Sequence, residues 1–330
     1  MGHIYKSLWL AEALRGKDRE DARFFIREDA ASADLVRGGG FPLEVFPNEL
    51  REEEIVARLN QWVEKHRSAF LIIDHWDWAD AYWSGLAKIP GTIYVGMDVP
   101  DGRFAHFDLA FQGIRNSLSN AEFTEMGCKV YKGPKYLMSS PDFLPYAGSW
   151  KYRGHLKKVL LTFGGTDIAN FSVKVLDYFE NSSRHFDLTL VLGPGCPNRE
   201  AVKERWARSN LDVEILRGAD CLPKYMGQAD LVVSAAGAGT LSELALVGAP
   251  AIVLAAVPHQ MENAEKYSRA GGVLNCAKTA GAVDKTFFGL MDDLAANPEK
   301  LSALARKWAG LTDGQGIGRI VAILEEHGRF

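Results

Sequence analysis

The sequence predicts an α/β protein of two doubly wound domains in series. Three observations predict it: short apolar runs in the style of buried parallel strands, their regular alternation with amphipathic helical stretches, and a Pro- and Gly-rich break near the middle. At 330 residues the chain has room for two domains of about 150 residues each, and the 32 glycines suit many strand-to-helix turns.

The chain opens on a helix, MGHIYKSLWLAEAL. ARFFIRE (Ala22 to Glu28) is then a strand, followed by a polar stretch and RGGGFP. LEVFP is a strand, Arg51 to His66 a helix with Ile55, Leu59, Trp62 and Val63 on one face, and AFLIID a strand. An aromatic helix from Trp76 leads to the strands GTIYVG and DLAFQG. From Tyr131 to Gly154, prolines 134, 141 and 145 and several Gly and Ser mark an interdomain connection. The alternation restarts with KVLLTFGG, a helix from Ile168 to Phe179, FDLTLVLG, a helix from Arg199 to Arg208, and DVEILRG. A short helix near Lys224, ADLVVSAAG, a helix from Thr240, APAIVLA, a helix from Gln260, GGVLNCA and three helices complete the order. The expected domains are residues 1–150 and 151–330, facing one another across a cleft.

A net charge of −4 with both signs interspersed gives no footprint for nucleic acid or an anionic membrane, so the expected partner is a small molecule. Cys128, Cys196, Cys221 and Cys276 lie too far apart for a zinc or redox motif. The longest apolar runs, such as Ala249 to Pro258, fall well short of the roughly 20 residues a membrane span needs. With Lys6, Glu12 and Arg15 at helical spacing and no cleavage site in the first turns, no signal peptide and a cytoplasmic location are expected.

Ligands of open parallel sheets bind beyond the carboxyl ends of strands, where helix N-termini present free N–H groups. Three stretches hold such positions. LLTFGGTDIANFS is either a well-capped strand-to-helix turn or an anion-facing loop in which Gly165 N–H and the Thr166 hydroxyl approach a phosphate; Asp167 is kept as a helix cap, since a carboxylate would repel a phosphate. In SAAGAGTLSELAL, Gly237 and Gly239 free the backbone at a helix mouth for a diphosphate. Ser242 stands where a dinucleotide fold wants its third glycine, and no acid ends the next strand, so a nicotinamide enzyme is disfavoured. Glu243, one turn into the helix, suits two ribose hydroxyls, and Gln260 and Asn263 project from one face of the next helix. In LIIDHWDWADAYW, Asp74 ends a strand. A metal site from Asp74, His75, Asp77 and Asp80 is set aside, because adjacent side chains point different ways.

The stretch ADLVVSAAGAGTLSELALVGAPAIVL…HQMENA resembles the nucleotide-sugar signature of GT-B enzymes, particularly the glycosyltransferase family that makes the lipid-linked peptidoglycan disaccharide. The resemblance implies that Gly237, Gly239 and Thr240 take the diphosphate, Glu243 the ribose and Gln260 the sugar. MGHIYKSLWLAEAL, LIIDHW, GPKYLMSSPDF and FGGTDIANFS fall in the order found in the UDP-sugar hydrolases of pseudaminic acid biosynthesis and their spore-coat polysaccharide relatives. That resemblance implies a GT-B fold and a histidine in a Gly-x-Gly-His turn acting as base toward water, here His3; with no Asp-x-Asp metal site in the sequence, catalysis without a divalent ion or other cofactor is expected. Asp74 would orient His3 or steer a sugar hydroxyl. Trp76 stands where those hydrolases have tyrosine, and His259 where they have asparagine; both belong to the sugar pocket. Their turn follows a first strand central to the N-terminal sheet, so that sheet is expected to lack its first strand here.

The expected function is therefore hydrolysis of a UDP-sugar in surface-glycan biosynthesis, with His3 taking a proton from water, histidine being the residue type suited to that task near neutral pH. The alternative is a glycosyltransferase using the same donor site, with His3 deprotonating an acceptor hydroxyl. A non-catalytic nucleotide-sugar binding module is the third reading.

Overall fold

The computed structural model describes residues 2–15, 22–74, 80–100, 102–114, 119–193, 195–218, 222–276, 278–308 and 310–328. The chain divides into two units, residues 1–138 with 315–330, and residues 139–314.

The first unit begins with α1 (Gly2–Arg15), β1 (Phe24–Arg27), α2 (Ala30–Gly38), β2 (Leu43–Phe46), α3 (Glu52–His66) and β3 (Phe70–Ile73). It continues with α4 (Asp80–Ser84), β4 (Ile93–Met97), β5 (Leu109–Gln112), β6 (Ala121–Glu125) and β7 (Cys128–Lys132). Its strands form two sheets: β1 parallel to β2, and a second in the order β3-β4-β5-β7-β6, parallel except for the β6 edge. Among the described residues β1 pairs only with β2 and β3 only with β4, and both are largely half-buried, whereas β5 is wholly buried. Helix α1 serves both sheets. Its Leu10 joins the core of Val95, Met97, Leu109 and Phe111, while Leu8 and Ala11 pack with Val36 and Phe41. Each such aliphatic side chain contributes about 1.5–3 kcal/mol when fully removed from water.

The second unit carries β8 (Lys158–Thr162), α5 (Phe171–Lys174), α6 (Leu176–Asn181), β9 (Asp187–Leu192), α7 (Arg199–Ala207), β10 (Val213–Arg217) and α8 (Leu222–Gln228). Then come β11 (Leu231–Ala235), α9 (Ala238–Val247), β12 (Ala251–Leu254), α10 (Pro258–Ala270), β13 (Val273–Asn275), α11 (Lys285–Ala296) and α12 (Glu299–Trp308). All six strands are parallel, in the order β10-β9-β8-β11-β12-β13. Their buried faces explain the unbroken apolar runs: β11 and β12 are covered on both sides. The Trp308 ring lies so close to Gly272 that a Cβ there would be 1.8 Å from its Cε2, and the indole N–H donates to Ala249 O at 3.0 Å.

Four departures from the sequence expectations have physical causes. The domain boundary, expected between 150 and 151, lies between 138 and 139, because residues 139–150 run along α9: Gly148 N donates to Leu246 O and Trp150 N to Val247 O. The last helix, α13 (Gly316–His327), belongs to the first unit, not the second, because Ile317, Ile320, Val321 and Leu324 pack on its core with Tyr136 and Met138. The polar stretch after β1 is helical, since Asp29 caps it by accepting from Ser32 N and Ala33 and Val36 bury one face. The helix expected over 168–179 begins only at Phe171, because Asp167 and Asn170 take left-handed φ of 43° and 55°.

Candidate functional site

In the second unit the chain leaves β8 toward β9 and β10 on one side, then returns to β11 and proceeds to β12 and β13 on the other. The strand order therefore reverses between β8 and β11, and open parallel sheets take their ligands beyond the carboxyl ends of the strands at such a point. Three of the predicted stretches issue there. Gly165 and Thr166 follow β8, Gly237, Gly239 and Thr240 follow β11, and His259 and Gln260 follow β12.

The loop after β8 is held from behind. Gly195 N donates to Gly165 O at 2.8 Å, and a Cβ on Gly193 would lie 2.3 Å from Gly164 O, so only glycine allows this approach. Asp167 is the cap the sequence predicts: its carboxylate accepts from Phe171 N, Ser172 N and Ser172 Oγ. Burial pushes its carboxyl up, against the pull of those donors. Gly165 and Thr166 stay partly exposed.

Gly237 is the N-cap of α9, and no side chain caps the helix. Its first-turn N–H groups and the positive end of its dipole are thus open to an anion. Ser242 Oγ donates to Gly239 O at 2.7 Å. Glu243 is 8% exposed, which excludes a solvated surface acid. Burial pushes its carboxyl up to about 7, opposed by a hydrogen bond from the Ser140 backbone. Asn263 Nδ2 donates to Ala236 O at 3.3 Å, joining α10 to the loop before α9. Gln260 turns back on its own segment, accepting from Ala256 N at 2.8 Å, and His259 is exposed.

In the first unit the structure brings His3 and Asp74 together. His3 Nδ1 lies 2.8 Å from Asp74 Oδ1, the His3 side chain is 58% exposed and that of Asp74 6%. Two further residues join them that sequence reasoning passes over. Lys6 Nζ lies 2.9 Å from Asp98 Oδ2 and 3.9 Å from Asp74 Oδ2. Lys6 is buried; that burial works against its charge, but Asp98 and Asp74 outweigh it and raise the ammonium above its ordinary value. The available signal was the spacing of His3 and Lys6, one turn apart on α1. Trp76, His75 and Asp77 lie outside the described residues. Among the described residues no three His, Cys, Asp or Glu side chains are grouped to hold a metal ion, and no helix is long and apolar enough to cross a membrane.

A parallel sheet with its loops gathered at the switch point, following an N-terminal unit that is also a parallel α/β structure, defines a GT-B, glycosyltransferase-like fold. Residues 159–312 match the glycosyltransferase family 28 C-terminal domain. Over 329 residues the chain is 23% identical to the spore coat polysaccharide biosynthesis protein SpsG of Bacillus subtilis (strain 168), spanning 99% of this chain and 94% of that one. It is 25% identical over 307 residues, 84% of each chain, to the UDP-N-acetylglucosamine--N-acetylmuramyl-(pentapeptide) pyrophosphoryl-undecaprenol N-acetylglucosamine transferase of Leuconostoc mesenteroides. The crystal structure of Acinetobacter baumannii MurG superposes with a TM-score of 0.72 at 14% identity, covering 98% of this chain and 96% of that one.

Proposed function

We propose that the protein is a nucleotide-sugar glycosyltransferase of polysaccharide biosynthesis with a UDP-sugar as donor. The observation that carries the reading is the convergence of three loops on the switch point of the second unit, with a buried carboxylate, Glu243, one turn behind an uncapped helix N-terminus. The Gly165–Thr166 loop and the N–H groups of Gly239 and Thr240 take the diphosphate, Glu243 accepts from the ribose hydroxyls, and Gln260, Asn263, His259 and Trp76 serve the sugar. Gln260 must leave Ala256 N to do so.

The first unit supplies the base. Asp74 accepts from His3 Nδ1–H, which leaves Nε2 to take the proton of the attacking hydroxyl. The acceptor oxygen forms its bond to the anomeric carbon as the bond to the diphosphate oxygen breaks. UDP leaves with that electron pair, its charge met by backbone N–H groups and the α9 dipole. Transfer stands ahead of hydrolysis because the family match and the named relatives are of the transferase type or of polysaccharide biosynthesis. Hydrolysis is the second reading, supported by the resemblance of MGHIYKSLWLAEAL and LIIDHW to the UDP-sugar hydrolases, and it differs only in taking water.

The deciding experiment follows UDP release from a panel of UDP-sugars, with and without polyol, glycan and lipid-linked acceptors. Release that requires an acceptor and yields a glycosylated product supports transfer. Equal release without acceptor supports hydrolysis, and no release from any donor overturns both.

A further inference from the structure

The two oxygens of Asp74 face different partners. Oδ1 meets His3, while Oδ2 is buried and, among the described residues, has no hydrogen-bond donor; Lys6 Nζ stands 3.9 Å away. Lys6 is itself fixed by Asp98, whose Oδ1 accepts from Gly113 N at 3.2 Å and whose backbone sits at a left-handed φ of 53°. Such a conformation in a non-glycine residue is costly and persists where the surroundings demand it. Asp74 and Asp98 directly follow β3 and β4, neighbouring parallel strands, and His3 and Lys6 share one face of α1. The result is a continuous relay: Gly113 N–H, Asp98, Lys6, Asp74, His3.

We propose that Lys6 is a positioning residue for His3. Its buried ammonium holds Oδ2 of Asp74 by charge, so the carboxylate cannot rotate and keeps Oδ1 directed at His3 Nδ1. Asp98 and Gly113 hold the ammonium in place. The inference rests on His3 being the base proposed above. The competing structural role is that Lys6 only neutralises Asp98.

The test compares wild type with Lys6→Arg, Lys6→Met and the double variant Lys6→Met/Asp98→Asn. Removing Lys6 and Asp98 together leaves the net charge of the cluster unchanged, so the double variant escapes the uncompensated carboxylate that the single one leaves. Positioning predicts a double variant that folds and retains wild-type KM for the UDP-sugar, yet loses on the order of 10-fold or more in kcat, as expected when a reacting group is misplaced. Lys6→Arg stays within a few-fold of wild type, and the ¹⁵N spectrum of His3 loses its Nδ1–H tautomer preference in the double variant. Wild-type kcat and an unchanged His3 spectrum in the double variant overturn the inference. A His3→Ala variant run alongside separates the two levels. If it keeps full turnover, the base assignment fails and the role of Lys6 with it; if it is inactive while the double variant is normal, only the role of Lys6 fails.

Discussion

His3 Nδ1 and Asp74 Oδ1, 71 residues apart in the chain, lie 2.8 Å from each other at the carboxyl end of β3. The pairing gives the exposed imidazole one defined tautomer. His3→Ala should therefore lose about 10²–10⁴-fold in kcat while its UDP affinity, assigned to the second unit in the proposed function, stays as in wild type. Asp74→Asn should lose comparably, because an amide can donate to Nδ1 and so select the wrong tautomer. Calorimetric titration with UDP beside steady-state turnover separates the two effects; a parallel loss of UDP affinity in either variant contradicts the assignment.

Glu243 predicts opposite effects on binding and on stability. As a ribose acceptor it must be ionised, and burial places its titration near 7. Affinity for a UDP-sugar, whose diphosphate diester does not titrate in this range, should rise about 10-fold from pH 6 to pH 8 and then level off. Folding runs the other way. A carboxyl raised above its ordinary value contributes its full stability below about 4.3, and this is lost as pH climbs through 7. Glu243→Gln should thus bind weakly with a flat pH profile, yet raise the unfolding free energy of the apoprotein at pH 8 by roughly 2–3 kcal/mol and hardly at all at pH 4. Chemical denaturation at the two pH values checks the sign.

The strands of the second unit were legible because a sheet covered on both faces demands continuous apolar runs, and FDLTLVLG or APAIVLA are little else. The same physics hid β6: AEFTE is an edge strand exposed after its first residue, so it carries charge and no pattern. Helix α2, AASADLVRG, has only Ala33 and Val36 as buried apolar anchors and reads as a polar loop until Asp29 is seen to cap it. The places of Gly165 and Gly237 at strand ends and of Glu243 in the second turn of a helix were readable, since strand-end glycines and helix register are local signals. The Lys6–Asp98 pair was not, for its partners are 92 residues apart and nothing local marks either.

The return of α13 to the first unit was equally invisible, because the order of elements does not say which core a terminal helix covers. Ile320 is fully buried there among Leu10, Leu109 and Tyr136. Ile320→Ala should cost about 2–5 kcal/mol in the unfolding of the first unit. Hydrogen exchange should show the added opening in α1, β4 and β5, with β8, β11 and β12 protected as in wild type. Loss of protection confined to the second unit contradicts the division.

Gly193 offers a test of the diphosphate loop that does not involve the chemical step. A methyl group there would lie 2.3 Å from Gly164 O and 2.5 Å from Gly165 O, both backbone atoms that cannot swing aside as a side chain would. Gly193→Ala must then displace the loop that carries Gly165 and Thr166, at about 1–3 kcal/mol of stability. Gly289 is the control, since it lies in α11 with open space where its Cβ would be, and Gly289→Ala should be neutral or stabilise by up to about 1 kcal/mol. UDP affinity should fall in Gly193→Ala at temperatures where both variants remain folded, and stay unchanged in Gly289→Ala. If Gly193→Ala loses stability but binds UDP as wild type does, the loop after β8 does not hold the diphosphate, and the anion rests on the N-terminus of α9 alone.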